Sequence, residues 1–254
     1  AVVVLDEVHF IQDTFRGPVW EEVIIHLPRK VKLVCLSATV SNANEVADWI
    51  STVRGPTRFV VEEKRPVELE NLYMVGDKTA QREHLFATLV SGRPNPEAAR
   101  LEDQTRKIGG RGPVKGRPRR ALYTPSRLEV VDRLNEEGLL PAIFFIFSRN
   151  GCNEAAQSCL KQGLRLTSPD ERRRIQEIIA SRLGDIDDDD LDVLGYPQFV
   201  AQLEAGIAAH HAGLVPPFKE TVEACFVEGL VKIVFATETL AVGINMPARS
   251  VVIE

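Results

Sequence analysis

The chain has 254 residues, enough for one large domain or two ordinary α/β domains with cores of their own. A formal charge of -5 and a pI near 5.7 exclude a uniformly basic nucleic-acid coat, while leaving room for a basic cleft on an acidic protein. No apolar stretch approaches membrane-spanning length. The four cysteines, Cys35, Cys152, Cys159 and Cys225, show no C-x-x-C spacing, which points to free thiols in a reducing compartment and a cytoplasmic protein.

In chain order, residues 1–5, 32–36 and 57–61 read as strands. Between the last two, Asn42-Ala43-Asn44-Glu45 has the form of a capping box, Val46, Trp49, Ile50 and Val53 share one helical face, and Gly55-Pro56 stops the helix. Lys64-Arg65-Pro66 breaks the pattern and marks the expected domain boundary. A strand is expected over 69–75 and a helix over 81–91. The Gly, Pro and Arg content of 92–125 implies an irregular, mobile insertion. Ser126 with Glu129 caps the next helix, whose Val130 and Leu134 point inward, and which ends at Gly138. Residues 141–147 read as a fully buried strand, and 151–161 as a helix closed by Gly163. Ser168-Pro169-Asp170-Glu171 combines an N-cap, a first-turn proline and a returning glutamate. Strands at 206–209, 231–236 and 250–253, with a helix around 218–226, complete a second α/β layer.

Charge is segregated along this framework. Arg106, Lys107, Arg111, Lys115, Arg117, Arg119 and Arg120 form a run without an acid, read either as a solvated loop or as a basic arm that adds salt-dependent grip on a nucleic-acid strand. Residues 185–192 are nearly all aspartate and read as a solvated loop. The sequence opens and closes inside strand-like runs, without an initial methionine, and reads as an internal piece of a longer protein.

The chemistry concentrates at strand ends. An apolar run ending in Asp6-Glu7 sets two carboxylates at the carboxyl edge of a parallel sheet, where open α/β folds bind ligands. One carboxylate can hold a magnesium ion directly or through water, and the other can orient or deprotonate an attacking water. Asp-Glu after an apolar run is also a common solvated strand end. Leu36-Ser37-Ala38-Thr39 ends the next strand, so its hydroxyls would sit beside those carboxylates within reach of His9; alternatively Ser37 and Thr39 only begin the following helix. No G-x-x-x-x-G-K-[ST] loop occurs in the sequence.

Asp6-Glu7-Val8-His9 and Ser37-Ala38-Thr39 resemble motifs II and III of the DExH helicases of superfamily 2. Phe145-Ile146-Phe147-Ser148-Arg149, His210-His211-Ala212-Gly213-Leu214 and the stretch from Phe235 to Pro247 resemble motifs IV, IVa and V of the Ski-like branch. The segment from Arg16 to Leu27 is similar in particular to the bacterial HelY-type members. The resemblance implies two tandem RecA-like (P-loop NTPase) parallel-sheet domains, both incomplete. Residues 1–65 would be the later half of the first, and 66–254 the second, with the basic insertion near 92–125.

It further implies that Asp6 coordinates Mg2+ through water and that Glu7 is the catalytic base, with ATP as substrate. His9, Ser37, Ala38 and Thr39 would couple hydrolysis to domain movement. Gly243 and Asn245 would face the nucleotide, and Ser148, Arg149, His211, Gly213 and Thr237 would contact nucleic acid. Other readings stay open: Thr237 as a helix N-cap, Gly243-Ile244-Asn245 as a tight turn, and His210 and His211 as satisfied, partly buried imidazoles. Gly109-Gly110-Arg111-Gly112 and Gly116-Arg117 echo the arginine motif VI but precede motif V, and are set aside. The implied parent is a monomeric ATP-dependent 3′-to-5′ helicase acting on single-stranded or tailed nucleic acid, RNA rather than DNA, with no membrane partner. The 254 residues alone are expected to be inactive. The alternatives are a DNA helicase of the same superfamily and a non-catalytic nucleic-acid-binding scaffold.

Overall fold

A computed structural model describes residues 1–15, 17–37, 42–62, 64, 67–78, 80–98, 100–101, 122–237, 240 and 246–254. The chain divides into two compact units, Ala1–Leu69 and Glu70–Glu254.

In the first unit, β1 (Val2–Leu5) is followed by a 3-10 turn (Val8–Gln12), α1 (Gly17–His26), β2 (Lys32–Cys35) and α2 (Ala43–Arg54). β1 and β2 run parallel, with Leu5 opposite Cys35. Alternation along the strands sends Val3, Leu5, Leu33 and Cys35 to one face. There they pack with Ile24 of α1 and with Val46, Trp49, Ile50 and Val53 of α2, as the helical spacing predicts. The capping box at Asn42 does not form. Its side chain caps nothing and instead accepts a hydrogen bond from Gln12 Nε2. The expected strand over 57–61 is also absent: no neighbouring strand among the described residues offers it a ladder, and Val60 and Val61 are exposed.

The second unit opens on an antiparallel pair, β3 (Leu72–Asp77) and β4 (Arg82–Ala87). Short strands β5 (Leu89–Val90) and β6 (Arg93–Pro94) pair with each other, and β7 (Leu122–Tyr123) adds to β3. β4 corrects the helix expected over 81–91, because cross-strand pairing from Leu72↔Ala87 to Asp77↔Arg82 outweighs local propensity. β5 and β6 likewise give order to the start of the expected insertion. The basic run 106–120 lies outside the described residues.

The remaining elements are α3 (Arg127–Glu136), β8 (Ala142–Phe145), α4 (Arg149–Lys161), α5 (Pro169–Leu183), α6 (Asp188–Val193), α7 (Tyr196–Glu204), β9 (Ile207–His210), α8 (Pro216–Val227), β10 (Ile233–Ala236) and β11 (Ser250–Ile253). The other two expected capping boxes form, Ser126 with Glu129 and Ser168 with Glu171. The acidic run is partly helical rather than a loop. Aspartates at a helix start complement its dipole, and Leu191 anchors the turn in the core.

A four-stranded, all-parallel sheet in the order β11-β8-β10-β9 carries this unit. Ile143, Ala208 and Val234 face a core built with Ile175, Ile179, Leu203, Val222 and Phe226 of α5, α7 and α8. Phe144, Ile207, Ala209, Ile233 and Phe235 face the opposite core, with Val131, Leu134, Ala155 and Cys159 of α3 and α4. Helices thus cover both faces, which fixes the carboxyl edge of the sheet as the open side for ligands. The four cysteines are thiols outside any disulfide, three buried and Cys35 half-buried.

Candidate functional site

The first candidate site is the turn that follows β1. Leu36 donates its N–H to Leu5 O at 2.8 Å, and its carbonyl accepts from Val8 N–H at 2.9 Å. In a regular parallel ladder that carbonyl would bond the residue two beyond Leu5, which is Glu7. The partner here is Val8, so Asp6-Glu7 carries one extra residue and bulges from the sheet edge. Glu7 absorbs the extra length in the left-handed region, with φ 53° and ψ 40°. For a glutamate this is a strained conformation of the kind found at functional sites. Its displaced N–H is taken up by Asp6 Oδ1 at 2.9 Å.

The result is two adjacent carboxylates raised from the sheet edge, Asp6 exposed and Glu7 partly so, over a buried Val8. His9 Nδ1 lies 3.2 Å from Glu7 Oε2, without the angles of a hydrogen bond, and its ring leans on Phe10 with centroids 4.5 Å apart. Ser37 follows Leu36 directly and is exposed, so the end of β2 stands beside the carboxylates. Ala38 and Thr39 lie outside the described residues. Among the described residues no group of three or more His, Cys, Asp or Glu side chains could hold a metal ion.

The second candidate site is the carboxyl edge of the four-stranded sheet. Ser148 caps α4, its Oγ accepting from Gly151 N–H at 3.1 Å. Ser148 and Arg149 are both exposed at that helix N-terminus, where backbone N–H groups and the dipole favour anions. At the end of β9, His211 is buried, with both ring nitrogens engaged. Nδ1 accepts from Gly213 N–H at 3.1 Å, so Nε2 carries the proton and donates to Asn153 Oδ1 at 3.0 Å. Burial first, then the charges of Arg149, His210 and Lys219, hold the imidazole below its usual pKa. His211 therefore fastens the Gly213 loop to α4 and has no ring nitrogen left for a strand.

Gly213 packs closely: a Cβ there would sit 3.1 Å from His211 Nδ1 and 3.7 Å from Arg149 Cδ. His210 is buried and bonds Glu223 Oε1 through Nε2 at 2.8 Å. Thr237 directly follows β10, its N–H donating to His210 O at 3.3 Å; at 5% exposure it offers little surface to a ligand in this conformation. Gly243 and Asn245 lie outside the described residues. Ser148, Arg149, His211, Gly213 and Thr237 thus all stand at one sheet edge.

Sequence reasoning gave no role of their own to Asn153 or to Phe147, although Phe147 falls in the segment that resembles motif IV. Asn153 lies four residues after Arg149, on the same face of α4, and that spacing was its only signal. Phe147 was read as part of a buried strand, but the strand ends at Phe145 and Phe147 is 71% exposed.

The model of the DEAD/DEAH box helicase family matches residues 1–46. Over 99% of its length the chain is 52% identical to the probable helicase HelY of Mycobacterium leprae, covering 28% of that protein. It is 36% identical to superkiller complex protein 2 of Homo sapiens and 35% identical to the exosome RNA helicase MTR4 of Homo sapiens, again over 99% of its length and covering 21% and 24% of those proteins. The chain therefore spans under a third of the length of these relatives. With an Asp-Glu-Val-His turn on a parallel sheet edge and this similarity from end to end, the chain belongs to the DExH helicases of superfamily 2, in the Ski-like branch and the HelY-type group.

Proposed function

We propose that these residues supply the hydrolytic carboxylates and a strand-contact edge of an ATP-dependent 3′-to-5′ nucleic-acid helicase, within two tandem RecA-like domains spanning residues 1–65 and 66–254. The observation that carries the proposal is the bulged Asp6-Glu7 turn clamped by Leu36. The turn buries Val8, but the two adjacent carboxylates it lifts in a strained conformation gain no packing themselves. A scaffold that only binds strands has no use for it.

In this reading Glu7 orients and deprotonates the water that attacks the γ-phosphate. Asp6 would hold Mg2+ through water, which suits a single exposed carboxylate and an ion reluctant to shed its hydration shell. When bound, that ion neutralises charge developing on the phosphates. His9 and Ser37, with Ala38 and Thr39, would relay the state of the nucleotide to the strand-binding parts, and Gly243 and Asn245 would face the nucleotide. Ser148 and Arg149 contact backbone phosphate, which any sequence presents and a translocating motor requires. His211 and Gly213 hold that edge in shape, and Thr237 closes it.

RNA is the favoured strand, because a relative 35% identical over this chain bears the name RNA helicase. The cytoplasmic, monomeric state and the 3′-to-5′ direction belong to the same proposal. Among the described residues no helix is long and apolar enough to cross a membrane. The 254 residues by themselves do not hydrolyse ATP, since the sequence holds no G-x-x-x-x-G-K-[ST] loop and phosphoryl transfer depends on positioned charge.

The test is nucleic-acid-stimulated ATP hydrolysis by a protein of the relatives' length that carries these residues. Glu7→Gln should lower turnover by roughly a hundredfold or more. Undiminished turnover would sink the assignment of the base. RNA and DNA strands of one sequence, compared as stimulators, decide the substrate.

A further inference from the structure

Residues 144 and 146 of the β8 segment point into one core and residue 143 into the other, all three nearly inaccessible. The next residue, Phe147, departs from this. Ile146 still donates its N–H to Ala236 O at 2.8 Å, as a ladder residue does, but Ser148 then donates back to Ile146 O, also at 2.8 Å. That two-residue closure is a γ-turn with Phe147 at its apex. It carries the phenyl ring out of the sheet and leaves it 71% exposed at the carboxyl edge.

Leaving a phenylalanine in water forfeits most of what its burial would contribute, and single exposed apolar residues are common enough to need no explanation by themselves. The surroundings of Phe147 are what single it out. It directly precedes Ser148 and Arg149, whose helix N-terminus favours phosphate, and Arg149 in turn packs against the Gly213 loop that His211 fixes. An exposed aromatic face beside a basic, anion-favouring backbone is the pairing that grips single strands without reading sequence.

We infer that Phe147 is a stacking platform for one base of the bound strand, beside the phosphate held by Ser148 and Arg149. The inference rests on the strand-contact reading of this edge. Stacking and phosphate contact differ in their salt dependence, which separates them experimentally.

The test measures binding of the 254-residue chain to a single-stranded oligouridylate, and to the same strand with abasic sites, across a salt titration. Phe147→Ala should weaken binding roughly five- to 150-fold without changing the salt slope. Phe147→Trp should retain affinity, and the abasic strand should bind the unsubstituted chain as weakly as Phe147→Ala binds the intact strand. Arg149→Gln should instead flatten the slope by about 0.7. If Phe147→Ala binds like the unsubstituted chain while Arg149→Gln flattens the slope, the stacking role is overturned and the edge still carries a strand. If neither substitution alters binding, or the unsubstituted chain does not bind, both readings fall.

Discussion

The left-handed conformation of Glu7 has a measurable cost, and Glu7→Gly against Glu7→Ala isolates it. Both substitutions remove the carboxylate and its 3.2 Å approach to His9. Both keep the hydrogen bond from Glu7 N–H to the Asp6 side chain at Oδ1 and the backbone bond from Phe10 N–H to Glu7 O. They differ in the Cβ. At φ 53° an L-residue pays about 1–2 kcal/mol that glycine does not. Glycine loses about 0.4–1 kcal/mol through the greater freedom of its unfolded chain. Glu7→Gly should therefore be the more stable of the two by about 0.5–1 kcal/mol, the reverse of the usual order. For a unit of this size that is roughly 2–8 °C in melting temperature. Trp20 and Trp49, the two tryptophans of the chain, both pack in the core of the first unit, so intrinsic fluorescence during thermal or urea unfolding reports on this unit selectively. If Glu7→Ala proved equal to or more stable than Glu7→Gly, the bulge would not be strained as described.

Three further outcomes are expected. Asp6→Asn keeps an acceptor for Glu7 N–H and should leave the fluorescence-detected stability within about 0.5 kcal/mol of the unsubstituted chain, whereas Asp6→Ala should cost about 1 kcal/mol; equal stability of the two would show that the bond supports nothing. The His211 imidazole is held below its usual pKa, so its folded state resists protonation. Its contribution is complete above the unfolded value near about 6.5 and is lost as pH falls below that towards the folded value. Urea midpoints should therefore drop less between about pH 7.5 and about pH 5.5 in His211→Phe than in the unsubstituted chain, and equal drops would contradict the bonded, neutral ring. Gly213→Ala brings a Cβ to 3.1 Å from His211 Nδ1 and must displace ring or loop. A fall of a fewfold in strand affinity is expected, and unchanged affinity would mean that the loop geometry is immaterial to binding.

What was legible in the sequence was what local chemistry dictates. Ser126 with Glu129, and Ser168 with Glu171, name their helix starts because the side chains bond their own backbone three residues away. The parallel strands announced themselves as short apolar runs. Residues 81–91 failed because Leu85, Phe86, Leu89 and Val90 suit either period, and only the ladder to Leu72–Asp77 decides between them. The aspartates after 185 failed because their bulk charge reads as loop, while their position at a helix start is favourable. At the candidate sites the residue types were legible and their burial was not. His211 reads as a contact residue and acts as a fastener, since its partners Asn153 and Gly213 reach it only in the folded sheet edge.

The DExH turn shows how motif and geometry require each other. Leu36 offers one N–H and one carbonyl, and these take Leu5 and Val8, so the chain has two residues in which to leave the sheet and return. A flat continuation would pair Glu7 with Leu36 and send its side chain to the face of Val3 and Leu5, towards the core. The extra residue instead forces a left-handed step, frees one N–H, and turns the second carboxylate outward. A carboxylate one position earlier can satisfy that N–H with its own oxygen, as Asp6 does. Aspartate suits this place because its short side chain can bend back to the following N–H. Val8 then has to be apolar, because it re-enters the core to close the clamp. Because Leu36 holds both ends of the excursion and Ser37 follows it, movement at the end of β2 is carried into the backbone of Glu7. Under the proposed function, hydrolysis at Glu7 and the relay at Ser37 would thus share one hydrogen-bonded residue.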